Sequence, residues 1–319
     1  MLNATDDLKV FSGRSNPALT DEICNYLDIH PGRVHAETFP DGELFIKLHD
    51  DVRGRDVFVV QSTCRPVNDN LIELLVFIDC LRRASAKRIT AVLPYFGYAR
   101  QDRKEEGRVP ITAKLVSNLI TEAGADRVLA MDLHAAQIQG FFDIPLDHLH
   151  AEPAFTRHFQ NLDVENVVLV SPDIGNVKRA RRYAEKMGCE LAIIDKRRTS
   201  GSSTVMHNII GSVEGRDVLM IDDMIATAGT LCEAARIVKE RGARSVRGAA
   251  THPVFAGPAF DRLGNAPLAE IAVTNTIPVT NEARQRLPDL VVLSVADILG
   301  EAIARIHKHQ SVSSLFMKA

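Results

Sequence analysis

The sequence lacks the features that mark several common classes of protein. Its five cysteines are scattered and include no Cys-x-x-Cys pair, so neither a disulfide framework nor a cysteine zinc site is indicated. No apolar run approaches the length that spans a bilayer, and there is no low-complexity tract. The Gly-x-x-x-x-Gly-Lys-Ser/Thr segment and the protein-kinase motifs are also absent, so a nucleotide would have to bind by another route.

Composition and charge are those of an ordinary globular protein. The chain has 319 residues, of which 45% are hydrophobic and 25% are charged, and this favours two domains with proper cores. The net charge of −3 argues against general binding of nucleic acid. Residues 1–10 include Asp6 and Asp7 and contain no apolar segment of the kind found in secretory signals. We therefore expect a cytoplasmic protein with no membrane partner.

Apolar runs typical of strands alternate with helical patterns along the whole chain, which predicts an α/β fold. A weak internal repeat supports two similar domains, because residues 54–60 and 215–221 both begin with Gly-Arg-Asp-Val and continue as an apolar run. Each copy is followed by a helical pattern, a basic turn and a strand that ends at Pro94 or Pro253. These features predict a first domain over residues 1–149 and a second over residues 150–319.

Residues 218–230 give the strongest indication of function. Residues 218–221 are all apolar and predict a strand buried on both faces, with Asp222 and Asp223 at its carboxyl end. From Leu231 the apolar spacing becomes helical, and Gly242 lies where a helix would end. The segment therefore predicts a strand, a loop of small residues and a helix, in that order.

The loop at residues 226–230 is suited to a phosphate group. Its small residues let backbone N–H groups approach an anion at the positive end of the following helix, and Thr227 and Thr230 add hydroxyl donors. Asp222 and Asp223 could accept hydrogen bonds from the vicinal hydroxyls of a sugar, although an Asp-Asp pair by itself is also common at the start of a polar loop. The whole arrangement predicts a site for a sugar phosphate.

Further polar segments allow two interpretations when the residues are taken alone. The Pro-Asp-Gly at residues 40–42 is explained by a hairpin turn. The cations of residues 100–104 and the Lys-Arg-Arg at 196–198 could contact phosphate groups or lie on solvated surface. His134 and Asp173 each follow an apolar strand, where a structural histidine or a helix-capping aspartate is common.

Together these segments resemble the ribose-phosphate diphosphokinases, relatives of the type I phosphoribosyltransferases. The shared motifs occur in the family's order, as Phe-x-Asp-Gly-Glu from residue 39, Ala-Arg-Gln-Asp-Arg-Lys from 99, Asp-Leu-His-x-x-Gln-Ile-Gln-Gly-Phe-Phe from 132, Lys-Arg-Arg from 196 and the acidic pair with Thr-x-Gly-Thr from 222. The resemblance implies two similar phosphoribosyltransferase type I-like domains, each a mostly parallel sheet flanked by helices. It also implies transfer of the diphosphoryl group of ATP to ribose 5-phosphate, for nucleotide, histidine and tryptophan biosynthesis.

The resemblance further implies roles for individual residues. Those expected to bind ATP are Phe39, Asp41, Gly42, Glu43, Arg100, Gln101 and Asp102. Those expected to bind ribose 5-phosphate are Arg198, Asp222, Asp223, Ala226, Thr227, Ala228, Gly229 and Thr230. Transfer is expected to use Lys196, Arg198 and His134, with Mg²⁺ near His134 and Asp173. A direct bond from His134 to Mg²⁺ would be unusual, so we expect it to act at least partly through phosphate oxygen or bound water.

Regulation and assembly are also implied by the family. A regulatory site for inorganic phosphate, as an activator, would involve Arg53, Ser311, Ser313 and Ser314. The subunits would form a homohexamer in which the aromatic and acidic residues of the Phe39 motif contact the adenine of ATP bound to a neighbouring subunit. The C-terminal residues 311–316 have the composition of a disordered tail or a terminal strand.

The sequence departs from the family pattern in three places. Ala226 replaces an aspartate, Asn176 replaces a second glycine, and residues 105–108 are less basic than usual. Two other functions fit parts of the sequence: a phosphoribosyltransferase would share the phosphate loop, and the three departures would suit a catalytically silent regulatory relative. The first does not explain the Lys-Arg-Arg or Ala-Arg-Gln-Asp-Arg segments, and the intact Lys196, Arg198, His134 and Arg100 argue against the second.

Overall fold

The computed structural model describes residues 7–198 and 205–313, and for residues 196–198 and 205–207 it describes the backbone alone. By their contacts, these residues form two compact units. The first contains the residues up to His150, Thr276–Pro278 and the residues from Ser294 onwards, and the second contains Ala151–Asn275 and Val279–Leu293. Within the described ranges, no helix has both the length and the apolar character required to cross a membrane.

The first unit is built on a five-stranded parallel sheet in the order β1-β4-β5-β6-β7. Its central strands are buried, and all five residues of β4 are buried, as expected for a parallel sheet covered on both faces. In chain order the elements are β1 (Leu8–Ser12), α1 (Pro17–Leu27), β2 (Val34–Thr38), β3 (Leu44–Leu48), β4 (Asp56–Val60), α2 (Val67–Arg83), β5 (Arg88–Leu93), α3 (Thr112–Ala123), β6 (Arg127–Met131), a 3₁₀ helix (Ala136–Phe141) and β7 (Leu146–Leu149).

The second unit is built on a seven-stranded sheet in the order β10-β9-β8-β11-β12-β13-β14. All neighbours in this sheet are parallel except β10 and β9, which are antiparallel. In chain order the elements are α4 (Glu152–His158), β8 (Val167–Ser171), α5 (Val177–Met187), β9 (Glu190–Arg198), β10 (Val205–Ile210), β11 (Asp217–Ile225), α6 (Gly229–Glu240), β12 (Ser245–Pro253), α7 (Ala259–Gly264), β13 (Glu270–Thr274), α8 (Asn281–Arg286) and β14 (Leu290–Leu293).

The internal repeat of the sequence corresponds to one βαβ arrangement in each unit. In the first unit β4, α2 and β5 follow one another, and the two strands are parallel neighbours. In the second unit β11, α6 and β12 do the same. The α/β class and the mostly parallel sheets are therefore confirmed.

The C-terminal helix α9 (Ala296–His307) folds with the first unit, although it follows the second unit in sequence. It packs against α1, where the Tyr26 hydroxyl donates to Glu301 at 3.0 Å and the Tyr26 ring lies where a Cβ on Gly300 would be. Its apolar face, with Leu299 and Ile303, is fully buried. The division of the chain by contacts is therefore discontinuous, whereas the sequence indicates one boundary near residue 150.

Candidate active site

The phosphate loop, residues 226–230, connects β11 to α6 in the second unit. The helix begins at Gly229 directly after Ala228, whose backbone is left-handed with φ of 59°. The first N–H groups of a helix have no partners within it, so the loop ends at a group of donors suited to an anion. Thr227 and Thr230 are both exposed. The loop therefore combines backbone and hydroxyl donors, as a phosphate site requires.

Arg262 of α7 supports this loop from the side. Its Nη1 donates to the Thr227 carbonyl at 3.0 Å, and a Cβ on Gly229 would lie 3.1 Å from the same nitrogen. Glycine at the start of α6 therefore leaves room for the guanidinium. Sequence reasoning did not find Arg262, because it lies 35 positions from Thr227 and belongs to no motif.

The acidic pair lies within β11 rather than at its carboxyl end, so this part of the expectation is wrong. β11 pairs with β8 only from Asp217 to Leu219, but it pairs with β12 as far as Ile225. Hydrogen bonding to β12 extends the strand beyond Asp222 and Asp223. The pair still follows the last residue of β11 that pairs with β8, and it precedes the phosphate loop.

Arg179 of α5 joins the two aspartates. Its Nη1 donates to Asp222 Oδ1 at 2.8 Å and to Asp223 Oδ1 at 2.9 Å. Asp223 is buried, and its N–H donates to Asp222 Oδ1 at 2.8 Å. Burial, followed by the neighbouring charge of Asp223, raises the pKa of Asp222 well above its usual range, and the Arg179 charge offsets only part of this.

Asp173 lies in the turn between β8 and α5. Its Oδ1 accepts the N–H of Asn176 at 2.9 Å, and its carbonyl accepts the Ser171 hydroxyl at 2.7 Å. Asp173 therefore holds the turn that precedes α5, and among the described residues it makes no cap bond to an N–H of the helix itself. Arg179 lies one turn further along the same helix, so this turn also sets the position of the guanidinium at the acidic pair.

The basic loop of the first unit follows β5 and is fixed at several points. Thr112 Oγ1 donates to Gln101 Oε1 at 2.5 Å, and Gln137 Nε2 donates to Asp102 Oδ2 at 2.7 Å. The Gln101 N–H also donates to the Tyr98 carbonyl at 2.9 Å. Arg100 is exposed on this supported loop.

Gly97 is the most tightly packed point of this loop, and we expect Gly97→Ala to lower stability and to weaken the ATP binding that the family resemblance implies for this loop. Its N–H donates to Thr63 Oγ1 at 2.6 Å, and an added Cβ would overlap the Thr63 carbonyl oxygen. Relieving that overlap would move the loop at a cost of about 1–3 kcal/mol. Thermal denaturation and the KM for ATP check this result. Gly107→Ala is the matched control, because a Cβ there meets no atom within 4 Å; equal behaviour of the two variants would contradict the prediction.

A cluster that sequence reasoning missed lies where β6 and β7 end. Asp132 is buried and accepts from His150 Nδ1 at 2.9 Å, and the rings of His148 and His150 have centroids 4.6 Å apart. The spacing of His148, on β7, and His150, one residue past its end, could have indicated it, since residues i and i+2 of an extended chain share a face. His134 is exposed, two positions after Asp132.

The ligand atoms of Asp132, His148 and His150 lie within 4.8 Å of one another, close enough to suggest a metal ion. His148 Nε2 already accepts the Leu133 N–H at 2.9 Å, and its Nδ1 lies 3.4 Å from Gln139 Nε2. Asp132 Oδ1 is likewise paired with His150 Nδ1. In this conformation the cluster is a hydrogen-bonded network.

The hairpin of β2 and β3 carries the Phe39 motif at its turn. Gly42 has φ of 93°, a backbone angle that glycine adopts without strain, and Asp41 Oδ1 accepts the Glu43 N–H at 3.1 Å. Phe39 is 40% exposed, and its ring centroid is 5.8 Å from that of Phe45. The predicted hairpin is therefore present, with an exposed aromatic ring and exposed carboxylates at its tip.

The remaining predicted site residues are those of the Lys-Arg-Arg segment and of the regulatory phosphate site. Lys196 and Arg198 belong to β9 by their backbone, and their side chains lie outside the description. In the first unit, Arg53 Nη1 donates to Ser85 Oγ at 3.1 Å, and the Ser311 carbonyl accepts from Arg305 at 3.1 Å. Ser313 is exposed, and Ser314 lies outside the described residues.

Comparison with known proteins agrees with this arrangement. Residues 8–124 match the family described as the N-terminal domain of ribose phosphate pyrophosphokinase, and residues 205–317 match the phosphoribosyl synthetase-associated domain. The chain is 60% identical over 313 residues to the ribose-phosphate pyrophosphokinase of Rhodopirellula baltica, covering 97% of this chain and 98% of the relative. It is 52% identical over 316 residues to that of Gloeobacter violaceus, covering 99% and 95%.

A solved structure supports the same relationship. The crystal structure of phosphoribosylpyrophosphate synthetase from Mycobacterium smegmatis matches 95% of this chain and 99% of its own, with 43% identity and a TM-score of 0.89. Similarity of this extent spans both units. The chain therefore belongs to the ribose-phosphate pyrophosphokinase family of enzymes, which are also called ribose-phosphate diphosphokinases.

Proposed function

We propose that this enzyme transfers the β,γ-diphosphoryl group of ATP to the C1 hydroxyl of ribose 5-phosphate. The C1 oxygen forms a bond to the β-phosphorus, the bond from that phosphorus to the α,β-bridging oxygen breaks, and the hydroxyl proton is released. The products are 5-phospho-α-D-ribose 1-diphosphate and AMP. The observation that carries the proposal is the acidic pair of β11, which lies directly before a loop with phosphate donors.

In the second unit, the phosphate loop would bind the 5-phosphate through Ala226, Thr227, Ala228, Gly229 and Thr230. Asp222 and Asp223 would accept hydrogen bonds from the ribose hydroxyls, because carboxylates are strong acceptors. Lys196 and Arg198 would neutralise the charge that develops on the diphosphoryl group, and Arg198 would also contact the sugar phosphate. Phosphoryl transfer depends mainly on position and electrostatic stabilisation, which these groups supply.

In the first unit, the exposed Arg100 and the supported Gln101 would align the triphosphate of ATP, and Asp102 would hold the loop through Gln137. His134 would contact phosphate oxygen or metal-bound water. Phe39, with Asp41, Gly42 and Glu43, would contact the adenine of ATP bound to a neighbouring subunit, for which the exposed ring is suited.

Mg²⁺ fits the donors that the chain offers. Asp173 supplies carboxylate oxygen of the type Mg²⁺ prefers, with Oδ1 already fixed by the Asn176 N–H. When bound, Mg²⁺ would neutralise part of the triphosphate charge. His134 is a nitrogen donor, so it would hold the ion through water or through phosphate oxygen.

Assembly and regulation are further parts of the proposal. We infer a cytoplasmic homohexamer with the adenine of ATP shared between subunits, and inorganic phosphate as an activator that binds near Arg53, Ser311, Ser313 and Ser314. The product would supply nucleotide, histidine and tryptophan biosynthesis. Light scattering of the purified protein measures the assembly, and a monomer with full activity would contradict the shared site.

The activity is tested by mixing the protein with ATP, Mg²⁺ and ribose 5-phosphate and separating the nucleotides by chromatography. We expect AMP and phosphoribosyl diphosphate in equal amounts. A phosphoribosyltransferase would form no AMP, but would consume phosphoribosyl diphosphate when given a base. A silent relative would do neither, and either of these results would overturn the proposal.

A further inference from the structure

The turn before α5 contains a buried amide that the proposed mechanism does not use. Asn176 is only 6% exposed, although it is polar and directly precedes the first residue of the helix. Its φ of −89° lies outside the left-handed region, so the backbone at this position does not require glycine. Burying a primary amide is costly unless its hydrogen bonds are made, so the contacts of this side chain indicate its role.

The amide of Asn176 connects α5 to the strand that carries the acidic pair. Its Nδ2 donates to the carbonyl of Ile221 at 2.9 Å in a buried contact. Ile221 is the residue directly before Asp222, and it lies two positions beyond Leu219, the last residue of β11 that pairs with β8. The side chain of Asn176 thus fixes the β11 backbone immediately before the acidic pair, where pairing with β8 has ended.

The same side chain also contacts the guanidinium that joins the two aspartates. Arg179 Nη1 lies 3.4 Å from Asn176 Oδ1, in addition to its shorter contacts with Asp222 and Asp223. Asn176 Nδ2 therefore restrains the backbone of the pair, and Oδ1 restrains the cation between its side chains. Two carboxylates so close together repel each other, so a fixed cation and a fixed backbone are needed to keep both oriented.

We propose that Asn176 is a positioning residue, which holds Asp222 and Asp223 ready for the ribose hydroxyls through Ile221 and Arg179. This inference rests on the proposed function and adds a determinant of sugar affinity to it. Asn176 itself contacts neither substrate in this role. Its loss would weaken the binding of ribose 5-phosphate and would leave the transfer step and the affinity for ATP nearly unchanged, because the reacting groups are elsewhere.

Three substitutions of Asn176 test which of its hydrogen bonds matter. Asn176→Ala removes both hydrogen bonds, and Asn176→Asp keeps an oxygen for Arg179 but loses the donor to Ile221. Asn176→Gly is the variant whose folding is safest, since glycine before a helix costs only a few tenths of a kcal/mol relative to asparagine. The matched control is Asn265→Ala, which removes an exposed amide that donates to the Asp261 carbonyl at 2.7 Å within the same unit.

The KM for ribose 5-phosphate, kcat and the KM for ATP are measured for each variant, together with the Kd for ribose 5-phosphate by calorimetry without ATP. We expect the KM and Kd for the sugar to rise about tenfold in all three Asn176 variants, as for the loss of a buried hydrogen bond. We expect kcat and the KM for ATP to stay within about twofold. Asn265→Ala should match the wild type in every value.

Several results would overturn the inference. Unchanged sugar KM and Kd in Asn176→Gly, or a lower melting temperature without any change in these values, would show that Asn176 is structural alone. A fall in kcat with an unchanged sugar Kd would place its effect on transfer instead. If the wild type makes AMP and binds the sugar, these results concern Asn176 only; a wild type that binds no ribose 5-phosphate would overturn the proposed function as well.

Discussion

Replacing Lys196 by alanine should lower kcat by about a hundredfold or more while leaving the Kd for ribose 5-phosphate nearly unchanged. The reason is that charge accumulates on the diphosphoryl oxygens as the β-phosphorus passes between two oxygen atoms. A preorganised cation at that point stabilises the transition state more than either bound substrate. Lys196 belongs to the Lys-Arg-Arg segment, at the end of a strand in the unit that carries the acidic pair.

The measurement combines steady-state kinetics of AMP formation with calorimetry for ribose 5-phosphate. Lys196→Arg should recover only part of the activity, because a guanidinium keeps the charge but differs in shape and donor geometry. Lys87→Ala, at an exposed lysine of the first unit, is the control and should match the wild type. Near-normal turnover in Lys196→Ala would remove Lys196 from the mechanism, and a large loss of sugar binding would make it a binding residue instead.

Local patterns predicted the elements that carry the site. The apolar residues 218–221, the small-residue loop and the helical spacing from Leu231 correspond to β11, the phosphate loop and α6. Short-range hydrogen bonding and apolar periodicity determine such features, and both can be read within a few residues. The Pro-Asp-Gly hairpin was predictable for the same reason.

Contacts between distant residues were not predictable in this way. β11 continues past Asp222 because β12 provides partners as far as Pro253, and this register has no local sequence pattern. The packing of α9 on α1 joins Tyr26 and Glu301, which are 275 positions apart. The motifs singled out the acidic pair and the turn before α5, but they gave no indication that Arg179 and Asn176 would connect them.

Replacing Asp222 by asparagine should raise the KM for ribose 5-phosphate by about 10- to 100-fold, because an amide offers one acceptor in place of a charged carboxylate. The same change should raise the melting temperature at pH 8 only modestly, because the Asp222 side chain is 34% exposed and solvent screens part of its repulsion from Asp223. Burial and the charge of Asp223 raise the pKa of Asp222 in the folded protein, so its ionised form costs stability. Weaker sugar binding together with a higher melting temperature would show that Asp222 serves function at a cost in stability.

The sign of the pH dependence follows from the direction of that shift. An acid whose pKa is higher in the folded than in the unfolded chain favours folding most at low pH, and this contribution is lost as pH rises through the folded pKa. Asparagine does not titrate, so the melting-temperature gain of Asp222→Asn should be largest at pH 8 and should disappear near pH 4. Calorimetric scans of wild type and variant across this range measure the gain in melting temperature.

The control Asp261→Asn removes an exposed carboxylate paired with Arg286 and should show no gain at any pH. A lower melting temperature of Asp222→Asn at pH 8 would contradict this prediction. It would mean that the lost ion pair with Arg179 contributes more stability than the burial of the charge and its repulsion from Asp223 cost.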